Sequence, residues 1–118
     1  LDLSNLNEVK KVCGQLITDF GGIDILVNTV GINRHGKIHE YDESWLETAI
    51  DTNYKSGLIC AKELLPGMLK RKYGNIINIS SIHGTMTMPD LEFMPEQKAP
   101  LMQRQEPWRL TMRMQGYG

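Results

Sequence analysis

The run Gly21-Gly22-Ile23-Asp24-Ile25-Leu26-Val27-Asn28 constrains the fold more than any other part of the chain. A double glycine ends the helical pattern before it, and the nearly continuous apolar stretch that follows is too short for a helix. It suits a strand buried on both faces. A second run of this kind, Asn75-Ile76-Ile77-Asn78-Ile79-Ser80-Ser81, opens after Gly74 and is rich in β-branched residues. Elsewhere the apolar residues fall at helical spacing. Leu6, Val9, Cys13, Leu16, Ile17 and Phe20 form one amphipathic helix, with Asn5-x-x-Glu8 as a capping-box-like start. Asp42 is placed to cap a second helix through Trp45, Leu46, Ala49 and Ile50. A longer helix runs through Leu58, Ala61, Leu64, Leu65 and Met68 to about Lys72, with Pro66 expected to bend its last turns.

Amphipathic helices alternating with short apolar strands are the pattern of an α/β fold, an open parallel sheet covered by helices. In such sheets ligands bind beyond the carboxyl ends of the strands. The polar residues that stand out lie at such ends: Asp2 after whatever strand precedes it, Asn28 to Gly31 after the first visible strand, and Ser80-Ser81 after the second.

With 118 residues, 41% hydrophobic and 23% charged, the chain has the composition of one modest globular domain, and its net charge of −1 offers nothing to attract nucleic acid or an acidic membrane. No apolar run reaches membrane-spanning length and no signal peptide is visible, so the expectation is a cytoplasmic protein with neither partner. Cys13 and Cys60 read as small buried hydrophobes without metal or redox spacing. His35, His39 and His83 have no ligand spacing and read as surface residues, so no metal is expected. Trp45 reads as a partly buried anchor.

The segments Leu1-Asp2-Leu3-Ser4, Gly21 through Arg34, Asp51-Thr52-Asn53-Tyr54-Lys55-Ser56-Gly57 and Leu65 through Gly84 resemble, in order, consecutive landmarks of the short-chain dehydrogenase/reductase family. The resemblance covers Leu1 to about Met88. It implies a partial Rossmann-type doubly wound parallel sheet and an oxidoreductase that uses NAD or NADP on a carbonyl/alcohol pair of a small molecule. An intact family member is expected to be a homo-oligomer. By the resemblance, Asp2 with Leu3 borders the adenine end of the cofactor, and Asn28 with Gly31 shapes the strand end beside it. The family usually has Asn-Asn-Ala-Gly there, and this chain has Asn28-Thr29-Val30-Gly31. Asn53 matches the asparagine that holds a water in a proton relay. Read on its own, it is a polar residue interrupting a helix and bonding locally. Ser81 matches the serine that hydrogen-bonds the substrate oxygen.

Hydride transfer to or from a carbonyl carbon requires a proton to reach or leave the oxygen, and the family uses a tyrosine whose pKa is lowered by a lysine in the pattern Y-x-x-x-K. Counted from Ser81 in the family's spacing, the lysine is present as Lys98 and the tyrosine's place is taken by Met94, which cannot transfer a proton. The chain beyond Leu91 also changes character: it contains no valine or isoleucine but holds four of the five glutamines and three of the five prolines. Back-translated and read from the third base of each codon, Phe93-Met94 becomes tyrosine or histidine, Met94-Pro95 becomes alanine, and Gln97-Lys98 becomes lysine or glutamate. The result is Y-A-x-x-K in register with Ser81. The expected organisation is a partial dehydrogenase domain over residues 1–88, beginning past the place of the glycine-rich phosphate loop, and an irregular tail over residues 89–118 with two explanations, a linker or disordered segment or a stretch read out of frame, of which the register of Y-A-x-x-K favours the second. Two functional classes follow: a dehydrogenase fragment that is inactive in isolation, or a catalytically dead binding or assembly module.

Overall fold

The computed structural model of the chain describes residues 1–81 and 110–115. Helix α1 spans Leu6–Phe20. Asn5 accepts a hydrogen bond from the Glu8 N–H at 3.2 Å, which is half of a capping box. The other half is diverted: the Glu8 carboxylate accepts from the Asp2 N–H, and the Asn5 N–H donates to the Asp2 carbonyl instead. Gly21 ends the helix in the left-handed conformation, φ 73°, with its N–H on the Ile17 carbonyl.

Strand β1, Ile25–Asn28, follows at once. After a loop and one short 3-10 turn at Ile38–Glu40, helix α2 covers Glu43–Ile50, capped by Asp42 through the Trp45 N–H. A π-helical turn, Asp51–Lys55, joins it without a break to α3, Ser56–Arg71. The sequence had given no sign of this widened turn. Helix α3 runs continuously through Pro66 and stops at Lys72, whose backbone is left-handed. Strand β2 occupies Asn75–Ser81. The helices and strands of residues 1–81 thus come in the order read from periodicity.

The sheet is parallel, in the order β1, β2, β3, with Leu26 beside Ile76 and Asn28 beside Asn78. Strand β3 is Leu110–Gln115, aligned with β2 from Ile76 beside Leu110 to Ser81 beside Gln115. It lies within the stretch expected to be irregular. The period-two alternation of Leu110, Met112 and Met114 with Thr111, Arg113 and Gln115 is the sequence signal for it. The rest of that stretch, residues 89–109 and 116–118, lies outside the described residues, as do Met94 and Lys98.

Helices α1 and α3 pack on one face of the sheet, where Val9, Cys13, Leu64, Met68 and Ile76 form the core and Leu26 closes against it. This corrects one expectation. Leu26, Ile77 and Ile79 are only half-buried, and Ile25 and Val27 are 56% and 49% exposed, so β1 is not buried on both faces. Successive strand residues point to opposite faces. Among the described residues the helices cover only the face of Leu26, so its neighbours Ile25 and Val27 face away from them. The start of β1 is tied down by α3: Arg71 donates to the Ile23 carbonyl at 2.9 Å and pairs with Asp24 at 3.1 Å.

Among the described residues no helix is long and apolar enough to cross a membrane, and no three His, Cys, Asp or Glu side chains are grouped to hold a metal ion. His35 and His39 are exposed, and Trp45 is half-buried with its ring 4.7 Å from that of Tyr41.

Candidate active site

Along the covered face the interior changes character toward the carboxyl ends of the strands. Leu26 and Ile76 belong to the apolar core; two residues further on, Asn28 and Asn78 take their places. Asn28 is half-buried and Asn78 buried, and one hydrogen bond links them: the Asn28 amide donates to the Asn78 side-chain oxygen at 2.8 Å. Helix α3 passes close above them at Gly57, where a Cβ would stand 3.3 Å from the Asn28 amide nitrogen. Asn28 is therefore packed between sheet and helix.

The π turn sits at the same end of the layer. The Ser56 N–H reaches back five residues to the Asp51 carbonyl, and the Ser56 hydroxyl donates to the Thr52 carbonyl at 2.7 Å. Thr52, Asn53 and Ser56 are buried. A turn of this width shifts the hydrogen-bonding register by one residue, which leaves a main-chain carbonyl that a regular helix would have consumed, and such turns are frequent at functional sites. The Asn53 side chain grips the loop after β1 at both ends: its oxygen accepts from the Ile32 N–H at 2.6 Å and its nitrogen donates to the Ile32 carbonyl at 2.8 Å. The partner is not local, as a helix-interrupting asparagine would have it, but on another element of the fold.

Ser81 ends β2, three residues past Asn78, so the parallel alignment places its backbone at the edge where Asn28 ends β1. Gly31 is exposed in the loop that Asn53 holds. Asp2 and Leu3 precede α1. Because α1 leads straight into the beginning of β1, its own start lies toward the carboxyl end of the sheet. Leu3 packs on the core, and Asp2 is exposed with its carboxylate accepting from the Ser4 N–H at 2.9 Å and the Ser4 hydroxyl at 2.8 Å. Those two bonds hold its pKa below the ordinary aspartate value. Among the described residues, Asp2, Leu3, Asn28, Gly31, Asn53 and the backbone of Ser81 thus gather at one edge of the sheet; Lys98 lies outside the described residues. What sequence reading missed is the Asn28–Asn78 pair; the matching position of an asparagine in each strand was its only signal.

Residues 1–93 match the short chain dehydrogenase family. The chain belongs to it. Similar curated relatives include the 3-oxoacyl-acyl-carrier-protein reductase FabG of Staphylococcus epidermidis, 36% identical over 83 residues, and that of Vibrio cholerae, 36% identical over 86. They align with 70% and 73% of this chain and 34% and 35% of their own. Dehydrogenase/reductase SDR family member 7B of Xenopus tropicalis is 34% identical over 88 residues, covering 75% of this chain and 28% of its own. Among solved structures, a short-chain dehydrogenase from Streptomyces avermitilis superposes with a TM-score of 0.80 at 27% identity over 87% of this chain and 38% of its own. The aldohexose dehydrogenase of Thermoplasma acidophilum gives 0.78 at 26% identity, over 86% and 40%. The chain is thus a partial Rossmann-type α/β unit of an oxidoreductase family, spanning about a third of the length of the curated relatives it matches.

Proposed function

We propose that this chain is the cofactor-edge and substrate-edge portion of an NAD- or NADP-dependent short-chain dehydrogenase/reductase acting on a carbonyl/alcohol pair, and that the 118 residues alone turn over nothing. The observation that carries the reading is the Asn53 clasp on Ile32. It joins the π turn to the loop after β1 at the edge of the sheet where α/β folds bind ligands.

The nicotinamide cofactor, when bound, supplies or accepts the hydride. The residues present fit part of it: the exposed Asp2 and the loop around Gly31 suit its borders, while no glycine-rich phosphate loop stands in the sequence to hold the pyrophosphate. Asn53 has both ends of its carboxamide engaged with Ile32, so its part in a proton relay runs through the main chain of the π turn, where a carbonyl can hold a water. Ser81 is the residue proposed to hold the substrate oxygen, and Lys98 the residue proposed to lower the pKa of a proton donor. The donor itself is the missing tyrosine. The family match ends at residue 93, at the codon pair where the shifted reading frame restores a tyrosine, which supports a frame change in the gene.

The test is a gene product corrected by one base between Met86 and Phe93 and extended by whatever the upstream gene encodes. It should reduce or oxidise a carbonyl/alcohol pair with one nicotinamide cofactor. Replacing the restored tyrosine by phenylalanine should cost two or more orders of magnitude, roughly the weight of general acid catalysis. Saturable reduction of a ketone by the uncorrected chain would overturn the claim of inactivity. A corrected, folded protein that binds cofactor without tyrosine-dependent turnover would favour the assembly-module reading.

A further inference from the structure

The π turn closes on Ser56, which is 1% exposed. Its N–H passes over the Thr52 carbonyl, the partner that an α-helical register would assign to it, and donates to the Asp51 carbonyl one residue further back. The hydroxyl of the same residue donates to that Thr52 carbonyl at 2.7 Å. The side chain thus supplies the bond that the Ser56 N–H withholds. Thr52 is itself buried, where an unsatisfied carbonyl is destabilising.

The widened turn has a contact of the fold on either side of it. Asn53, inside the turn, holds the N–H and the carbonyl of Ile32. Gly57, just past it, leaves room for Asn28, whose amide nitrogen would stand 3.3 Å from a Cβ there. Leu64 and Met68 seat the rest of α3 in the core. Both contacts fall on the short stretch from Asn28 to Ile32, the end of β1 and the loop after it. Each residue of an α-helix advances about 100° around the axis, so a return to the α register would swing the residues before Ser56 by about that angle relative to α3. Asn53 could not then meet Ile32 while Gly57 stays over Asn28.

We propose that Ser56 is a positioning residue: its hydroxyl holds the turn in the π register, and through that register it aims Asn53 at Ile32 and fixes the loop that carries Gly31. The service of that loop to a cofactor or substrate rests on the function proposed above; the register does not. Ser56→Ala removes the hydroxyl, and the Thr52 carbonyl regains a partner by taking the backbone N–H of position 56, which is the α register. Ser56→Thr keeps the hydroxyl, and Ser56→Val has the shape of threonine without it.

The experiment is nuclear magnetic resonance on the isotope-labelled 118-residue chain. In the unsubstituted chain, couplings across hydrogen bonds should join the Ser56 amide nitrogen to the Asp51 carbonyl carbon and the Ile32 amide nitrogen to the Asn53 side-chain carbonyl carbon, a readout that needs no variant. A coupling from the Ser56 amide nitrogen to the Thr52 carbonyl carbon in its place would overturn the proposal. In Ser56→Ala and Ser56→Val, exchange of the Ile32 amide with solvent should rise at least about tenfold more than that of the Leu26, Leu64 and Ile76 amides, which report any loss of global stability. Ser56→Thr should restore the protection of Ile32. Asn53→Ala should expose the Ile32 amide to the same degree, and Ser56→Ala added to it should expose that amide no further, because one residue acts through the other. In the corrected gene product, Ser56→Ala should lower kcat by the same factor as Asn53→Ala, with the double substitution no worse than either. The amide readouts need no turnover, so a corrected product without activity counts against the dehydrogenase reading and not against the register. An Ile32 amide that moves only with the rest of the chain, equal exposure in Ser56→Thr and Ser56→Val, or additive exposure in the double variant would each overturn the proposal.

Discussion

The carboxamide of Asn53 satisfies both polar groups of the Ile32 residue, N–H and carbonyl, across 21 positions of sequence. One buried side chain in the π turn thereby sets the path of the loop after β1. Asn53→Ala removes both bonds and leaves two half-buried main-chain groups to find water, so it should lower stability by about 1–3 kcal/mol. Asn53→Asp keeps the acceptor for the Ile32 N–H but sets a carboxylate against the Ile32 carbonyl, and should cost a similar amount. Urea unfolding followed by circular dichroism reads both.

Gly57 and Asn28 should be energetically coupled. Alanine in a helix is favoured over glycine by up to about 1 kcal/mol, yet a Cβ at Gly57 would press on an Asn28 side chain that is held by Asn78. Gly57→Ala should therefore yield no stabilisation in the intact chain. In an Asn28→Ala background it should stabilise. A double-mutant cycle with an interaction of about 0.5 kcal/mol or more is the expected outcome, and strict additivity would show that Asn28 yields freely.

Most of residues 1–81 was legible because helices and strands there follow their own periodicities. Val9 and Cys13 on α1 and Leu64 and Met68 on α3 sit in the core where their spacing put them. The π turn was not legible, because the segment Asp51–Lys55 fits an ordinary helical count and its widening is fixed by the buried bonds of Asn53 and Ser56, which depend on neighbours remote in sequence. Which strand face the helices cover was equally hidden, since Ile25 and Leu26 look alike as letters. Only packing separates them. Landmark order pointed to the candidate site, while the Asn28–Asn78 and Asn53–Ile32 bonds that build it emerged only in three dimensions.

That difference between faces is measurable. Ile76 is buried in the core and Ile25, on the other face of the sheet, is more than half exposed. Ile76→Ala should cost about 2–4 kcal/mol through lost burial and the cavity left behind. Ile25→Ala should cost about 1 kcal/mol or less, mostly from lost strand propensity. Matching urea midpoints measure both, and equal losses would mean that Ile25 is covered in solution.

The Cys13 thiol gives the fold an alkaline limit. Its pKa is pushed up to about 11 from an ordinary value of 9.0, first by burial and then by Cys60 and Glu63. Below pH 9 the thiol is protonated in both the folded and the unfolded chain, and the stabilising preference of the fold for the neutral form is fully present. Between pH 9 and about 11 the unfolded chain has released this proton while the folded chain retains it. Unfolding then releases a proton, and stability must fall as pH rises. Two pKa units correspond to at most about 2–3 kcal/mol across that window, with no further loss above it. Comparing urea midpoints at pH 8 and pH 10.5 in reducing buffer, for the unsubstituted chain and for Cys13→Ala, isolates this group from the lysines and tyrosines that also titrate there. The unsubstituted chain should lose more stability than Cys13→Ala over that interval. Parallel losses would mean that the thiol ionises as easily in the fold as outside it.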